Sequence, residues 1–424
     1  MSGNKSQTVS TCRILAASLA GTAIEFYDFF IYGTAASLVF GDLFFAGAPP
    51  SARLLAAYAS FGVAFLARPI GALAFGHFGD RVGRKSTLIA SLLLMGISTM
   101  AIGLLPTYSS IGWPAPVLLC LLRFSQGLGL GGEWGGAALL AAENAPPAFR
   151  GRFGMFPQLG APVGFLAANG SFLLLGLVIT PAQFATWGWR LPFLASAALI
   201  GLGLWVRMRL TETPEFAAAL AAATPPRVPA AALLRNHLRE TLAGTFAVVA
   251  AFAIFYLTTT FTLGYATATL AYDRREFLAV LLAAIPFLAA GILCSGHWSD
   301  RSDPRRVLIA GCSIAVPLGF VFAPLLTGGS LAAIWLFLSV TLFVMGLLYG
   351  PLGAWMPKLF PARVRYTGVS LAFTVGGILG GGTAPFVAQA LAIHGGLTLV
   401  GLYLSTSALV SLIALLTLGR PAPQ

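Results

Sequence analysis

Charge is scarce in this chain. Only 9% of its 424 residues are Asp, Glu, Lys or Arg, against about 25% in a soluble domain. Cysteine is scarcer still. Cys12, Cys120, Cys294 and Cys312 stand far apart, with neither the pairing of a disulfide framework nor the spacing of a zinc site. The four histidines form no HExxH, and neither a nucleophile elbow nor a phosphate-cradling glycine loop is present, which argues against an enzyme and against bound cofactors or metals. No polar stretch is long enough to fold alone, so neither a receptor ectodomain nor the output domain of a membrane sensor is expected.

What fills the chain is apolar sequence, 58% of all residues. Twelve long apolar runs fall at about 13–40, 54–77, 86–105, 115–142, 153–179, 190–209, 241–268, 277–297, 307–327, 331–355, 367–392 and 396–418. About twenty helical residues cover one hydrocarbon core of about 30 Å, and a backbone in lipid must satisfy its own hydrogen bonds. The runs therefore predict an all-α membrane protein of twelve transmembrane helices. A β-barrel would need alternating segments, and these runs are continuous. The first run carries Glu25 and Asp28 and is too long for a signal peptide.

The net charge of +12 invites a nucleic-acid reading, but its distribution points elsewhere. With the N-terminus in the cytoplasm, 19 of the 25 Lys and Arg residues face that side and four face the other, while Arg68 and Arg123 fall inside spans. This bias is the positive-inside rule. It predicts a multi-pass protein of the plasma (bacterial inner) membrane with both termini cytoplasmic, embedded in lipid and with no nucleic-acid partner.

The chain also repeats itself. Gly76-His77-Phe78-Gly79-Asp80-Arg81 returns 220 residues later as Gly296-His297-Trp298-Ser299-Asp300-Arg301. Basic pairs follow, Arg84-Lys85 and Arg305-Arg306, then a further apolar run. The duplication predicts two pseudo-symmetric six-helix bundles, residues 1–209 and 241–424, joined by a Pro-containing cytoplasmic linker at 210–240. Repeated Asp beside Arg and Lys predicts a cytoplasmic gate formed by Asp80, Arg81, Arg84, Lys85, Asp300, Arg301, Arg305 and Arg306, because charge-assisted pairs can form in one state and part in another. Simple anchoring by basic residues explains the arginines but not the repeated aspartate.

The hinge Gly76-x-x-x-Asp80-Arg81-x-Gly83-Arg84-Lys85 resembles the loop signature of the major facilitator superfamily. Further motifs are similar to its metabolite:proton symporter family. They are Gly21-Thr22-Ala23-Ile24-Glu25-Phe26-Tyr27-Asp28, Arg123-Phe124-Ser125-Gln126-Gly127 running on to Gly132-Glu133-Trp134-Gly135-Gly136, Trp189-Arg190-Leu191-Pro192-Phe193, Glu212-Thr213-Pro214-Glu215-Phe216 and Arg365-Tyr366-Thr367-Gly368. They are collinear and span essentially the whole chain. The resemblance implies the major facilitator fold, a functional monomer, protons as the coupling ion, and substrates among carboxylates, shikimate-like acids and zwitterionic osmolytes. Three departures stand out. Asp303-Pro304 replaces the single Gly83 of the first hinge, Lys358 sits where the family has an acid, and Phe26 replaces a tryptophan.

Five charges survive inside the runs, all in the first half: Glu25, Asp28, Arg68, Arg123 and Glu133. Each costs about 2.5–3.5 kcal/mol at a helix centre, so each is a functional candidate. Glu25, Asp28 and Tyr32 recur at i, i+3 and i+7, and Arg123, Gln126 and Glu133 at i, i+3 and i+10. At about 100° per residue each set shares one helix face. Two polar faces lining one cavity are therefore expected. Asp28 and Glu133, with Glu25 third, are the proton-coupling candidates, and contact with Arg123 would alternately load and release a proton. A static buried salt bridge is the competing reading. Arg68, beside Pro69, reads either as structural or, with Arg123, as a partner for a substrate carboxylate. Arg123, Gln126, Tyr32 and Gln158 are substrate-binding candidates, joined from the neutral second half by Tyr256, Thr259, Tyr349 and Gln389. The expected function is proton-coupled import of a small organic acid or similar polar metabolite by alternating access. A facilitator or antiporter is the alternative, and a nutrient sensor a more distant one.

Overall fold

The computed structural model describes residues 3–82, 84–131, 134, 145–208, 233, 235–361 and 364–418, without the side chains of 3–18, 76–82, 84–88, 147 and 206–208. Every element with regular hydrogen bonding among these residues is helical. The spans, in chain order, are α1 (Leu19–Phe44), α2 (Pro50–Val82), α3 (Arg84–Leu104), α4 (Pro114–Leu130), α5 (Arg150–Val178), α6 (Arg190–Met208), α7 (Leu238–Ala268), α8 (Arg274–Arg301), α9 (Pro304–Thr327) and α10 (Leu331–Leu359). The last stretch, Arg365–Thr417, is divided by non-helical backbone at Gly395 and Gly396 into α11 (365–394) and α12 (397–417). Gly396 has φ +71°, a conformation glycine adopts without penalty. A short helix, Pro181–Gly188, leads into α6 at a 47° bend.

Capping residues set several of these starts. Asp273 accepts from the amides of Arg275 and Glu276 at 2.8 and 3.1 Å and opens α8. Asp303 accepts from Arg305 N at 3.1 Å, with Pro304 in the first turn of α9. The Asp303-Pro304 insertion in the second hinge is thus an N-cap followed by a proline whose missing N–H costs nothing there.

Lipid tails compete equally well for apolar side chains, so membrane helices associate chiefly where small residues allow close packing. The duplication is visible in this packing. Gly71 of α2 lies against the Leu128 carbonyl of α4, and Gly127 of α4 against Ala64 O of α2. In the second half Gly291 of α8 lies against the Phe343 carbonyl of α10, and Gly346 of α10 against Leu288 O of α8. At all four positions a Cβ would overlap the facing backbone.

Three spans carry a wide π turn, in which the backbone bond reaches one residue further than in an α-helix. These are Ala36–Phe40 in α1, Leu257–Phe261 in α7 and Ile378–Gly382 in α11. All lie in the half of the molecule away from the hinge, where the first six spans meet the last six.

Candidate functional site

A cavity of about 50 Å³ lies between α1, α2 and α4 on one side and α7 and α11 on the other. Its walls include Glu25, Phe29, Arg68, Trp134, Tyr256 and Ser370. A water occupies about 30 Å³ in the liquid, so the space holds a water or two and no metabolite. The halves must part before anything larger enters.

Contacts between the halves bridge both ends of this cavity. On the hinge side, Trp134 stacks on Phe373 with ring centroids 3.5 Å apart, and Trp134 Nε1 donates to Gln158 Oε1 at 3.1 Å. Further out, Asp300 Oδ1 accepts from Gly151 N at 2.7 Å and Arg152 N at 3.3 Å, and Arg152 Nε lies 2.9 Å from Asp300 Oδ2. A carboxylate of α8 thus sits at the N-terminus of α5, where the helix dipole favours negative charge. That ion pair is close but too bent to count as a hydrogen bond as well. On the opposite side the π turn of α7 presents the Thr260 carbonyl, which accepts from Ser37 Oγ at 2.9 Å and Tyr58 OH at 3.0 Å. Arg274 of α8 lies 3.8 Å over the Phe184 ring, and Gly62 of α2 abuts the Gly382 carbonyl of α11. Between the two ends runs an aromatic seam, with Phe61 and Phe65 each packing on Tyr256 and Phe30 on Phe255.

The charged candidates separate into two places. Glu25 lines the cavity together with Arg68. Asp28, one turn on, is buried inside the first bundle, where Ser196 of α6 donates to its Oδ1 at 2.5 Å and Oδ2 has no hydrogen-bond partner. Arg123 is also fully buried. Its Nη1 donates to Gln126 Oε1 at 2.9 Å, and Gln126 Nε2 donates to Thr99 Oγ1 at 2.7 Å. The guanidinium carbon lies 4.1 Å from the Tyr32 ring centre and 4.3 Å from that of Phe29. Tyr32 OH shares a hydrogen bond with Ser60 at 2.7 Å.

Two polar faces looking into one space is therefore not what the helices make. Only Glu25 of the α1 set reaches the cavity, while Asp28, Tyr32, Arg123 and Gln126 belong to a polar chain inside the first bundle. Arg123 and Asp28 form no ion pair. Arg68, read from the sequence as either structural or a partner for a substrate carboxylate, lies on the cavity wall.

From the second half, Tyr256 reaches the cavity. Thr259 is buried and turns its hydroxyl to Phe255 O at 2.6 Å. Tyr349, Gln158 and Gln389 are buried, and each keeps one polar atom without a partner: Tyr349 OH, Gln158 Nε2 and Gln389 Oε1. Trp134, Phe252, Ser370, Phe373 and Thr374 are wall residues that the sequence reading did not single out. Among the gate candidates, Asp300 is engaged as above. Arg305 donates to Leu415 O at 2.9 and 2.7 Å, tying α9 to the end of α12, and Arg301 and Arg306 are exposed. Glu133 and the side chains of Asp80, Arg81, Arg84 and Lys85 lie outside the described residues.

Two helical halves closed around a cavity that bears charged side chains within the membrane spans define a transporter of the alternating-access type. Residues 18–385 match the Major Facilitator Superfamily family model, and the chain belongs to that superfamily. It is 49% identical over 409 residues to the inner membrane metabolite transport protein YhjE of Escherichia coli (strain K12), covering 95% of this chain and 93% of that one. The shikimate transporter of the same strain is 38% identical over 405 residues, covering 93% and 91%. A proline/betaine transporter of Salmonella typhimurium is 31% identical over 418 residues, covering 96% and 83%. The partially occluded inward-open xylose transporter XylE from E. coli superposes with TM-score 0.72 at 15% identity, covering 97% of each chain, which is a likeness of fold. The protein is thus a membrane transporter of twelve helices rather than an enzyme.

Proposed function

We propose that the chain is a proton-coupled symporter that carries a small carboxylate-bearing metabolite across the bacterial inner membrane, with the hinge end facing the cytoplasm. The observation that carries this proposal is the cavity between the halves, where Glu25 and Arg68 share one enclosed wall. A cation held inside a membrane protein favours an anion nearby, and a carboxylate on the same wall favours a proton or a cation. When an anionic substrate meets Arg68, protonation of Glu25 removes the like charge facing it. Asp28, held by Ser196 behind the cavity wall, is a second protonation site one helical turn away. The Asp300–Arg152 contact at one end and the Thr260 carbonyl contacts at the other are weak, separable bonds. Either set can break while the other holds, and that is the requirement for alternating access.

The comparisons are consistent with this proposal, since relatives over nearly the full length include transporters named for shikimate and for proline and betaine. One proton moving down about 100 mV supplies about 2.3 kcal/mol, enough for roughly fiftyfold accumulation.

The test is uptake of radiolabelled shikimate, glycine betaine and proline into proteoliposomes with an imposed inward proton gradient. Accumulation that a protonophore collapses is the expected result. Uptake that equilibrates and ignores the protonophore would instead make the protein a facilitator.

A further inference from the structure

We propose that Arg68, and not Arg123, grips the carboxylate of the transported molecule, and that the site selects molecules carrying a single carboxylate. This rests on the transporter function proposed above and goes further by naming the anchor and the charge of the cargo.

The two intramembrane arginines differ in surroundings, Arg123 fully buried and Arg68 half-buried. Arg123 donates to Gln126 and lies against the rings of Tyr32, Phe29 and Phe61 at 4.1, 4.3 and 5.0 Å inside the first bundle, where its Nε and Nη2 are buried without a hydrogen-bond partner. It contributes nothing to the cavity wall. Arg68 does form part of that wall. Its guanidinium is laid over Phe65 at 4.2 Å and Phe29 at 4.7 Å, which fixes the plane of the fork. Its Nε is buried with no hydrogen-bond partner. A flat, pre-oriented guanidinium with a donor to spare fits a carboxylate, which it can engage through two parallel bonds. Across the seam Ser370 of α11 lines the same cavity, and its Oγ also lacks a partner. A carboxylate held by Arg68 from one half and Ser370 from the other would tie the halves together only while it is present.

The charge count limits the cargo. Among the described wall residues Arg68 is the one cation and Glu25 the one carboxylate. One substrate carboxylate on Arg68, with a proton on Glu25, leaves the enclosed site neutral. A second carboxylate would enter a water-poor space with no second cation among the described wall residues, and an unpaired buried charge is strongly disfavoured.

The experiment uses the full-length protein in proteoliposomes, with labelled shikimate and glycine betaine as one-carboxylate probes and succinate and citrate as competitors. Folding of Arg68→Met and Arg68→Lys is checked by monodispersity and thermal melting. Wild type should take up at least one of the two labelled probes, and about tenfold excess succinate or citrate should leave that uptake unchanged. Arg68→Met should raise KM by about a hundredfold or more, and Arg68→Lys, which keeps the charge but not the fork, by about tenfold. If Arg68→Met does not fold, Arg68→Lys alone decides, since a wild-type KM in that variant overturns the assignment. Wild-type uptake together with a wild-type KM in folded Arg68→Met overturns the anchor and leaves the symporter intact. Succinate competing as well as unlabelled substrate overturns the single-carboxylate rule. No uptake of either probe by wild type in sealed vesicles overturns the carboxylate transporter itself.

Discussion

The two halves share a packing plan but not a charge pattern. Gly71 and Gly291 do the same work on either side of the pseudo-symmetry, as do Gly127 and Gly346. Yet Asp28 and Arg123 are buried in the first half, and Arg68 is half-buried there with its Nε enclosed. The second half buries mostly neutral groups, with the Asp300 side chain a buried charge at its hinge end, and Thr258, Ser339, Tyr349 and Gln389 each keep an unpartnered atom. Buried charges need fixed cages, whereas hydroxyls and amides can turn to suit a ligand. The contrast fits a rigid electrostatic half working against an adaptable one.

The sharpest way to break this comparison is to remove charge from the first half. Glu25→Gln and Asp28→Asn should each abolish uphill uptake while exchange counterflow persists. Full gradient-driven accumulation in both variants would show that coupling does not lie in these carboxylates. Next in size is an attack on what the halves share. Gly71→Leu and Gly291→Leu should each overpack a helix pair by about 1–3 kcal/mol or more, with lower yields of monodisperse protein and a lower Tm. Equal losses support the duplicated frame, and a silent change at either glycine would break it.

Asp300→Asn should have a smaller effect. It removes the ion pair to Arg152, whose side chain is 35% exposed, and weakens the charge at the start of α5. Discounted for solvent screening, this is about 1–2 kcal/mol. The hinge end should open about tenfold more often, read as faster labelling of a cysteine placed at the cavity wall. Smallest is Tyr58→Phe, which leaves Thr260 O with the Ser37 bond alone and costs about 1 kcal/mol. Spin-label distances across the end away from the hinge should lengthen in a minor population. A larger effect than that of Asp300→Asn would reverse the ranking of the two closures.

The spans were legible in the sequence because lipid imposes one rule on every residue of a run. Even the break between α11 and α12 could be read, since Gly395-Gly396 interrupts a stretch that would otherwise be one rod. The π turns could not be read. They are a matter of register, and Leu257–Phe261 has the composition of any apolar helix. At the site, Glu25 and Tyr256 were found from polarity inside apolar runs. Asp28 and Arg123 were also found, but their orientation was not. Periodicity tells which residues share a helix face, not whether that face meets the partner bundle or its own. Arg68 was left between a structural and a substrate-binding reading because its neighbour Pro69 also suggested a bend. Trp134 and Ser370 were missed because a wall residue of ordinary polarity leaves no periodic trace.

The π turn in α7 has a consequence for chain length. A π turn is an α-helix holding one residue more than its hydrogen-bond ladder needs. Deleting a single residue within Leu257–Phe261 would let the ladder close normally and would leave Thr262–Ala268 facing the first half as before. Deleting a residue from the regular α-helical part of α7 instead would turn everything beyond it by about 100°. The π turn of α7 is thus the place in this span where the residue count can change without changing which groups meet across the seam.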